Sequence, residues 1–330
     1  MVMLANDKKE LGDILDANIA IDSNGERRFS VQIARCNWFP ELTFANKIYV
    51  PGTEFGGIIG QVITTTSLDY VELKGWTWRG KLYNKIIEPP AGFDYKVVSG
   101  ELHSILKSII EPEFNGYFVV SGESTGITIS NYQFALRCHM LTGLEDMLRS
   151  VGYKLKITHR REQGAQGYVL VEAVPIIDYS SNIEMSQDSQ LAFAMNDYRD
   201  GINHLIAGGK GELQEREIIH LYLQKDGSIG DAPFYTGLHE NEEFYDNTAA
   251  ETTEELRKQA IERFEEISNK KTFSMDIESL GIDVEIGDIV GGRDYLTGLY
   301  MAKPIANIVY NVTDEGKVTK KYVLEGEGEK

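Results

Sequence analysis

Gly122-Glu123-Ser124-Thr125-Gly126 has the Gly-x-Ser-x-Gly spacing of a nucleophile elbow, in which a strained strand-to-helix turn exposes the serine beside two backbone amides. The elbow needs a helix after the serine, but Ile127-Thr128-Ile129-Ser130 alternates as a strand, so the pentapeptide reads as a hairpin turn. Ala207-Gly208-Gly209-Lys210-Gly211-Glu212 combines glycines that permit close backbone approach with a lysine suited to phosphate. It lacks both the Walker spacing and a following helix, and reads as a connection between two strands. Asp283, Glu285, Asp288 and Asp294 offer oxygen ligands for calcium at spacings that match no calcium loop, and Ile286-Gly287-Asp288 reads as a turn entering a strand. His103, His139, His159, His204, His220 and His239 form no His-x-x-x-His or His-Glu-x-x-His pair, so no metal ligand set and no cofactor is expected. Cys36 and Cys138 cannot build a disulfide framework or a zinc site, and both are expected to be buried or partly buried thiols. In so acidic a chain a carboxylate pair for glycoside hydrolysis stays open, yet no pair stands out, and the chain is not expected to be an enzyme.

The densest concentration of anchoring side chains is Trp76-Thr77-Trp78-Arg79-Gly80, followed by Glu88-Pro89-Pro90. Tryptophan and arginine are the residues that most often dominate interfaces, which makes Trp76, Trp78 and Arg79 candidate interface residues. The alternative is that these aromatics close the bottom of a barrel where strand meets helix. Net charge narrows the partners. Thirty-three Lys plus Arg against 51 Asp plus Glu give 33 − 51 = −18 with histidine neutral, and such a surplus of carboxylates repels a polyanion. The one dense basic run, Thr158-His159-Arg160-Arg161, is too short for a nucleic-acid footprint. No apolar run has the length of a membrane span and the N-terminus lacks a secretory core, so neither nucleic-acid binding nor stable membrane insertion is expected, and synthesis in the cytoplasm is.

These residues must be positioned mainly by strands. Segments 28–34, 58–66 and 70–75 alternate or are β-branched throughout, which predicts antiparallel strands. Leu102, Ile105, Leu106, Ile109 and Ile110 form one helical stripe with Ser99 as the expected cap. Leu144, Met147, Leu148 and Val151 form another, with Thr142 and Glu145 in capping-box spacing and Gly152 ending the helix. Strands are expected again at 117–120, 127–130, 154–158 and 168–172, then at 202–207 and 217–223 before the Asp226-Gly227 turn. An acidic helix over about 251–268 starts from Thr252, with Glu255 in capping-box position. From 239 to 270 there are ten acidic and four basic residues, read as a solvated helix face. Strands at 273–277, 286–290, 305–312 and 318–324 close the chain.

A faint internal echo bears on architecture. Ile59-Gly60-Gln61-Val62-Ile63 followed by Tyr70-Val71-Glu72-Leu73-Lys74-Gly75 is similar to Ile305-Ala306-Asn307-Ile308-Val309 followed by Tyr322-Val323-Leu324-Glu325-Gly326. The expected fold is α+β and mostly β: two similar small antiparallel β-barrels, 1–75 and 196–330, with an α+β domain, 76–195, between them and the acidic helix inserted in the second barrel. Chance likeness of two amphipathic hairpins is the competing explanation.

The run Tyr70-Val71-Glu72-Leu73-Lys74-Gly75-Trp76-Thr77-Trp78-Arg79-Gly80-Lys81-Leu82, continuing to Ile86-Ile87-Glu88-Pro89-Pro90, resembles the strand, glycine, short helix and Pro-Pro passage of siphovirus-type tail proteins. These belong to the baseplate hub (tail-tip hub) group of tailed phages and phage-tail-like particles. Residues 203–212 and Ile286-Gly287-Asp288-Ile289-Val290 resemble the same group. The resemblance implies a structural virion component: a homotrimer whose paired barrels present pseudo-sixfold symmetry to a hexameric tail tube, while other domains keep threefold symmetry for a central spike. Implied partners are the tail tube protein, the central spike protein, other baseplate proteins and a tape-measure protein in the axial channel. Some members carry a peptidoglycan-cleaving domain after the last barrel. This sequence ends at Glu325-Gly326-Glu327-Gly328-Glu329-Lys330, so lytic activity is expected on another chain. A cell-wall hydrolase and a receptor- or carbohydrate-binding β module are the alternative functions, and a phage, a contractile bacteriocin or another injection system the alternative particles.

Overall fold

The computed structural model describes residues 2–6, 10–14, 17–22, 25–161, 167–180, 193–268, 270–275 and 283–326. They fall into two units, Met1–Phe193 with Met275–Lys330, and Ala194–Ser274.

In the first unit, alternation does what period-two patterning requires. Arg28–Ala34 buries Phe29, Val31 and Ile33, and Tyr70–Thr77 buries Val71, Leu73 and Gly75, leaving their neighbours half-buried. These two strands lie near the middle of a ten-stranded sheet. Its order runs Ile289–Arg293, Tyr300–Val312, Ala17–Ile21, Arg28–Ala34, Tyr70–Thr77, Gly56–Thr64, Lys47–Tyr49, Val2–Ala5, Glu10–Ile14, and Val318–Leu324 also pairs with Tyr300–Val312. Phe55 stacks on Tyr310 at 4.5 Å between ring centroids, although three strands separate the one Phe55 leads into from the one bearing Tyr310. The sheet therefore curls until its own faces meet, and the apolar face becomes a core.

This pairing corrects the expected domain boundaries. Tyr310, Asn311 and Val312 pair with Ile21, Ala20 and Ile19, so the C-terminal strands complete the sheet begun at the N-terminus and do not form a barrel spanning 196–330. The physical reason is that a hairpin's internal pairing is local, whereas the sheet it joins is chosen by long-range edge pairing. The echo is visible in the structure as two bulged hairpins. Pairing skips Gly60 between Ile59↔Gly75 and Gln61↔Lys74, and skips Ala306 between Ile305↔Leu324 and Asn307↔Val323. Both hairpins lie in the same sheet, on either side of the Ala17–Ile21 and Arg28–Ala34 pair.

The α+β layer shares this unit. Helices α1 (Trp78–Tyr83), α2 (Leu102–Ile110) and α3 (Met140–Arg149) pack with a three-stranded sheet in which Tyr168–Pro175 lies antiparallel to Tyr153–Arg160 and parallel to Phe118–Val120. Their core includes Ala5 and Tyr49, so residues 76–195 do not form a core of their own. Two caps differ from expectation. Glu101, not Ser99, caps α2 by accepting from Ser104 N at 3.0 Å, because its longer carboxylate reaches the first turn. Helix α3 begins at Met140, ahead of Thr142, since Leu141 is needed in the core. Gly152 adopts φ +76°, where the chain turns out of α3 into the next strand. Cys138 is partly buried, but Cys36 is exposed, because residues 35–37 form a single tight turn beyond the end of their strand.

The second unit is a four-stranded sheet in the order Ile229–Gly230, Ile218–Leu223, His204–Gly208, Glu242–Asp246, the last pair parallel. Helix α4 (Thr253–Ile267) starts at Thr252, whose hydroxyl accepts from Glu255 N at 3.2 Å. Leu256, Ala260 and Phe264 on α4 meet Leu205, Ala207, Leu221 and Leu223 on one face of the sheet. Strict alternation sends His204, Ile206, His220, Tyr222, Glu242 and Phe244 to the other face. Phe193–Tyr198 pairs with Lys270–Met275, which covers part of the strand expected at 273–277; residues 276 and 277 and the terminal 327–330 lie outside the described residues.

Candidate functional site

The Trp76–Arg79 run sits where the Tyr70–Thr77 strand passes directly into α1. Thr77 makes that transition possible. Its hydroxyl donates to Arg27 O at 2.9 Å and accepts from Gly80 N at 3.1 Å, tying the helix start to the neighbouring strand. Gly75 lets Phe29 lie flat against the backbone, since a Cβ there would stand 2.6 Å from the Phe29 ring and 1.9 Å from Ile58 O.

The three candidate interface residues separate. Trp78 is fully buried, stacked at 5.7 Å on His159 and in contact with Tyr117 and Phe118, and its indole Nε1 has no hydrogen-bond partner. Arg79 is also turned inward. Its guanidinium donates to Glu54 at 2.7 Å, Glu145 at 2.9 Å and the Leu155 carbonyl at 2.9 Å. Burial pulls the Arg79 pKa down, Glu54 and Glu145 more than offset this, and the net shift is upward. Burial pushes the Glu145 carboxyl up, with Arg79 opposing it. Trp78 and Arg79 are thus held inside this unit, where a large aromatic contributes most because it excludes water. Trp76 stays half-buried, with the Arg28 guanidinium 4.6 Å above its ring.

Two charged cavities flank this junction. One, of about 210 Å³, is bordered by Glu54, Arg79, Lys156, Asp283, Glu285 and Lys320. Beside it, Lys154 Nζ lies 2.7 Å from Asp288 and 2.8 Å from Glu285. Asp288 also accepts from Ile177 N at 2.9 Å and Glu285 N at 3.0 Å. A lysine ammonium thus takes the place among Glu285 and Asp288 that the sequence offered to calcium. The other cavity, of about 340 Å³, is bordered by Glu10, Tyr49, His159, Arg161 and Tyr168. Tyr49 Oη donates to Glu10 at 2.7 Å, and burial first, then Glu10, pushes its pKa up. Burial, then Arg161, lowers the His159 pKa to about 4, which makes it a neutral ring near neutrality. These arrangements are ion pairs and aromatic stacks that lock strands together.

One grouping was invisible in the sequence. His204, Glu240 and Glu242 converge on the outer face of the second unit's sheet, with all three potential ligand atoms within 4.8 Å of one another. They lie 36 and 38 residues apart and meet because His204 and Glu242 are register partners in a parallel pair. Two other histidines are committed to backbone groups: His103 accepts from Ala173 N at 2.8 Å and contacts Glu123 O, and His139 lies 2.8 Å from Tyr83 O. Alternation within each strand put His204, His220 and Glu242 on a definite face; the antiparallel pairing with Ile218–Leu223 and the parallel pairing with Glu242–Asp246 make it the same face.

No family model and no curated protein matches the chain. Among solved structures it is similar to a tail protein from Neisseria meningitidis MC58, with 15% identity, a TM-score of 0.48, and coverage of 98% of this chain and 96% of that one. It is similar also to the 43 kDa tail protein of prophage MuSo2 from Shewanella oneidensis, with 13% identity, a TM-score of 0.48, and coverage of 98% and 97%. A chain of the phage P2 baseplate in its activated conformation gives 11% identity, a TM-score of 0.42, and coverage of 100% and 99%. Each of these likenesses spans nearly the whole of both chains.

Proposed function

We propose that this chain is a structural hub of a phage tail tip or baseplate, a homotrimer that joins a hexameric tail tube to a trimeric central spike. The supporting observation is the junction. The sequence resemblance at residues 70–90 implies a strand, a glycine, a short helix and a Pro-Pro passage, and the chain forms the Tyr70–Thr77 strand with Gly75, then α1, then Pro89-Pro90. In this reading the function is geometric: matching symmetry across a joint and holding an axial channel open. The charge of −18 suits a channel through which DNA or a tape-measure protein passes without adsorbing. Leu213 supports a partner surface, because it is 94% exposed at φ +51°, a backbone region costly for a leucine, and burial against a partner would offset that cost. Assembly partners are the tube, the spike and further baseplate proteins, after synthesis in the bacterial cytoplasm. Among the described residues no helix is long and apolar enough to cross a membrane.

Light scattering on the purified chain, alone and with tube protein, tests the assembly. A trimer that caps tube rings is the expected result; a monomer at high concentration that leaves the rings unbound overturns the proposal. Purified cell walls incubated with the chain are expected to keep their turbidity.

A further inference from the structure

We propose that the outer face of the second unit's sheet is a binding site for a divalent transition-metal ion, zinc by its donor set. His204 Nδ1, Glu240 and Glu242 are its ligands and His220 is the residue that positions His204. The inference goes beyond the assembly role and does not depend on it.

The convergence of three ligand atoms carries the argument. Glu240 Oε1 lies 2.9 Å and Glu242 Oε1 2.8 Å from the same nitrogen, His204 Nδ1. The other ring nitrogen, Nε2, lies 2.8 Å from His220 Nδ1. Two imidazole nitrogens at that distance need one proton between them. Either ring can supply it, and with the proton on His204 Nε2 the Nδ1 nitrogen is free to ligate an ion beside the two carboxylates. A metal ion here would take the place of the proton that otherwise joins His204 Nδ1 to the two carboxylates. Such use of the second ring N–H, to fix the tautomer that leaves the ligating nitrogen free, is the usual support for a metal-bound histidine.

The geometry suits a small ion. Bonds of about 2.0–2.2 Å in tetrahedral array place ligand atoms about 3.3–3.6 Å apart, so each carboxylate oxygen need draw back from His204 Nδ1 by only about 0.4–0.8 Å. One imidazole with two carboxylates is a set that zinc and its first-row neighbours accept, whereas calcium takes six to eight oxygens. The ligands are also held in advance. His204 is buried at 5% exposure, while Glu242 is exposed and leaves the ion open to solvent on one side. Asn203, itself buried, fixes the segment that carries both glutamates. Its side chain donates to His239 O at 2.7 Å and accepts from Asn241 N at 2.9 Å, and Asn241 O accepts from the backbone N–H groups of Asn203 and His204 at 3.0 and 3.1 Å. An ion here would tie residues 240–242 to the His204 strand.

The test uses the full chain after chelator treatment. Calorimetric titration with Zn²⁺ is expected to show one saturable site, a rise in melting temperature with Zn²⁺ and none with equal Ca²⁺. Co²⁺ loaded in place of Zn²⁺ is expected to give the visible absorption of a four- or five-coordinate ion. Glu242→Gln, at an exposed position, should keep the metal-free melting temperature and lose the Co²⁺ spectrum. His220→Gln should weaken zinc about tenfold through His204 alone. Glu240→Gln should likewise lose the Co²⁺ spectrum. The absence of saturable zinc binding, binding unchanged in both glutamate variants, or an NMR spectrum in which both His204 nitrogens stay protonated in the presence of Zn²⁺ would each overturn the proposal.

Discussion

At the scale of single residues, burial decides between two roles open to the same side chain. Trp78 was a candidate anchor for a partner, and its position inside the core converts it into an anchor for this chain. Trp78→Ala is expected to cost about 3–5 kcal/mol in urea unfolding, the range for a large aromatic removed from a packed core. Trp76→Ala, half-buried under Arg28, should cost about 1 kcal/mol or less in the same measurement. His159 links burial to pH. Its folded pKa is lowered to about 4, so between about 6.5, the value for an unfolded chain, and 4 the unfolded protein takes up a proton that the folded one refuses. Stability from this residue is complete above pH 6.5, falls through that window and levels off below it. Asp22 and Glu145, whose carboxyls burial raises, act in the opposite sense on acidification. The comparison is therefore between wild type and His159→Phe: the variant's stability curve should be flatter between pH 6.5 and 4 by up to roughly 3 kcal/mol, read from urea midpoints across that range.

At the scale of elements, the two bulged hairpins show how a sheet curls. A bulge adds one residue to one strand and increases local twist, and each hairpin places it after an isoleucine, at Gly60 and at Ala306. Two of the first hairpin's glycines, Gly60 and Gly75, stand in opposite surroundings. A Cβ on Gly60 meets nothing within 4 Å, while one on Gly75 collides with Ile58 O and the Phe29 ring. Gly60→Ala is expected to leave the melting temperature within a degree or two, and Gly75→Ala to lower it by ten degrees or more, because backbone would have to move. Hairpins and helix stripes were legible because each is fixed by residues a few positions apart. The caps were less so: Glu101 reaches the first turn of α2 where Ser99 does not, and reach depends on where the helix starts.

At the scale of the whole molecule, residues almost three hundred positions apart share one sheet. Tyr310–Val312 on Ile19–Ile21 makes the first unit dependent on both ends of the chain. Deleting residues 289–330 removes three strands and exposes the Ala17–Ile21 edge, so the first unit should lose hydrogen-exchange protection throughout Arg28–Ala34. Were 1–75 an independent barrel, that protection would survive. The sequence alone determined the mostly β composition, the positions of most strands and helices, the repeated hairpin and the acidic charge, all of which follow from local periodicity and counting. Tertiary structure decided which edges pair, and with that the domain boundaries, the inward turn of Trp78 and Arg79, and the meeting of His204 with Glu240 and Glu242. A strand edge offers the same backbone donors and acceptors to every other edge, so the choice among them lies with the packing of apolar faces from distant parts of the chain.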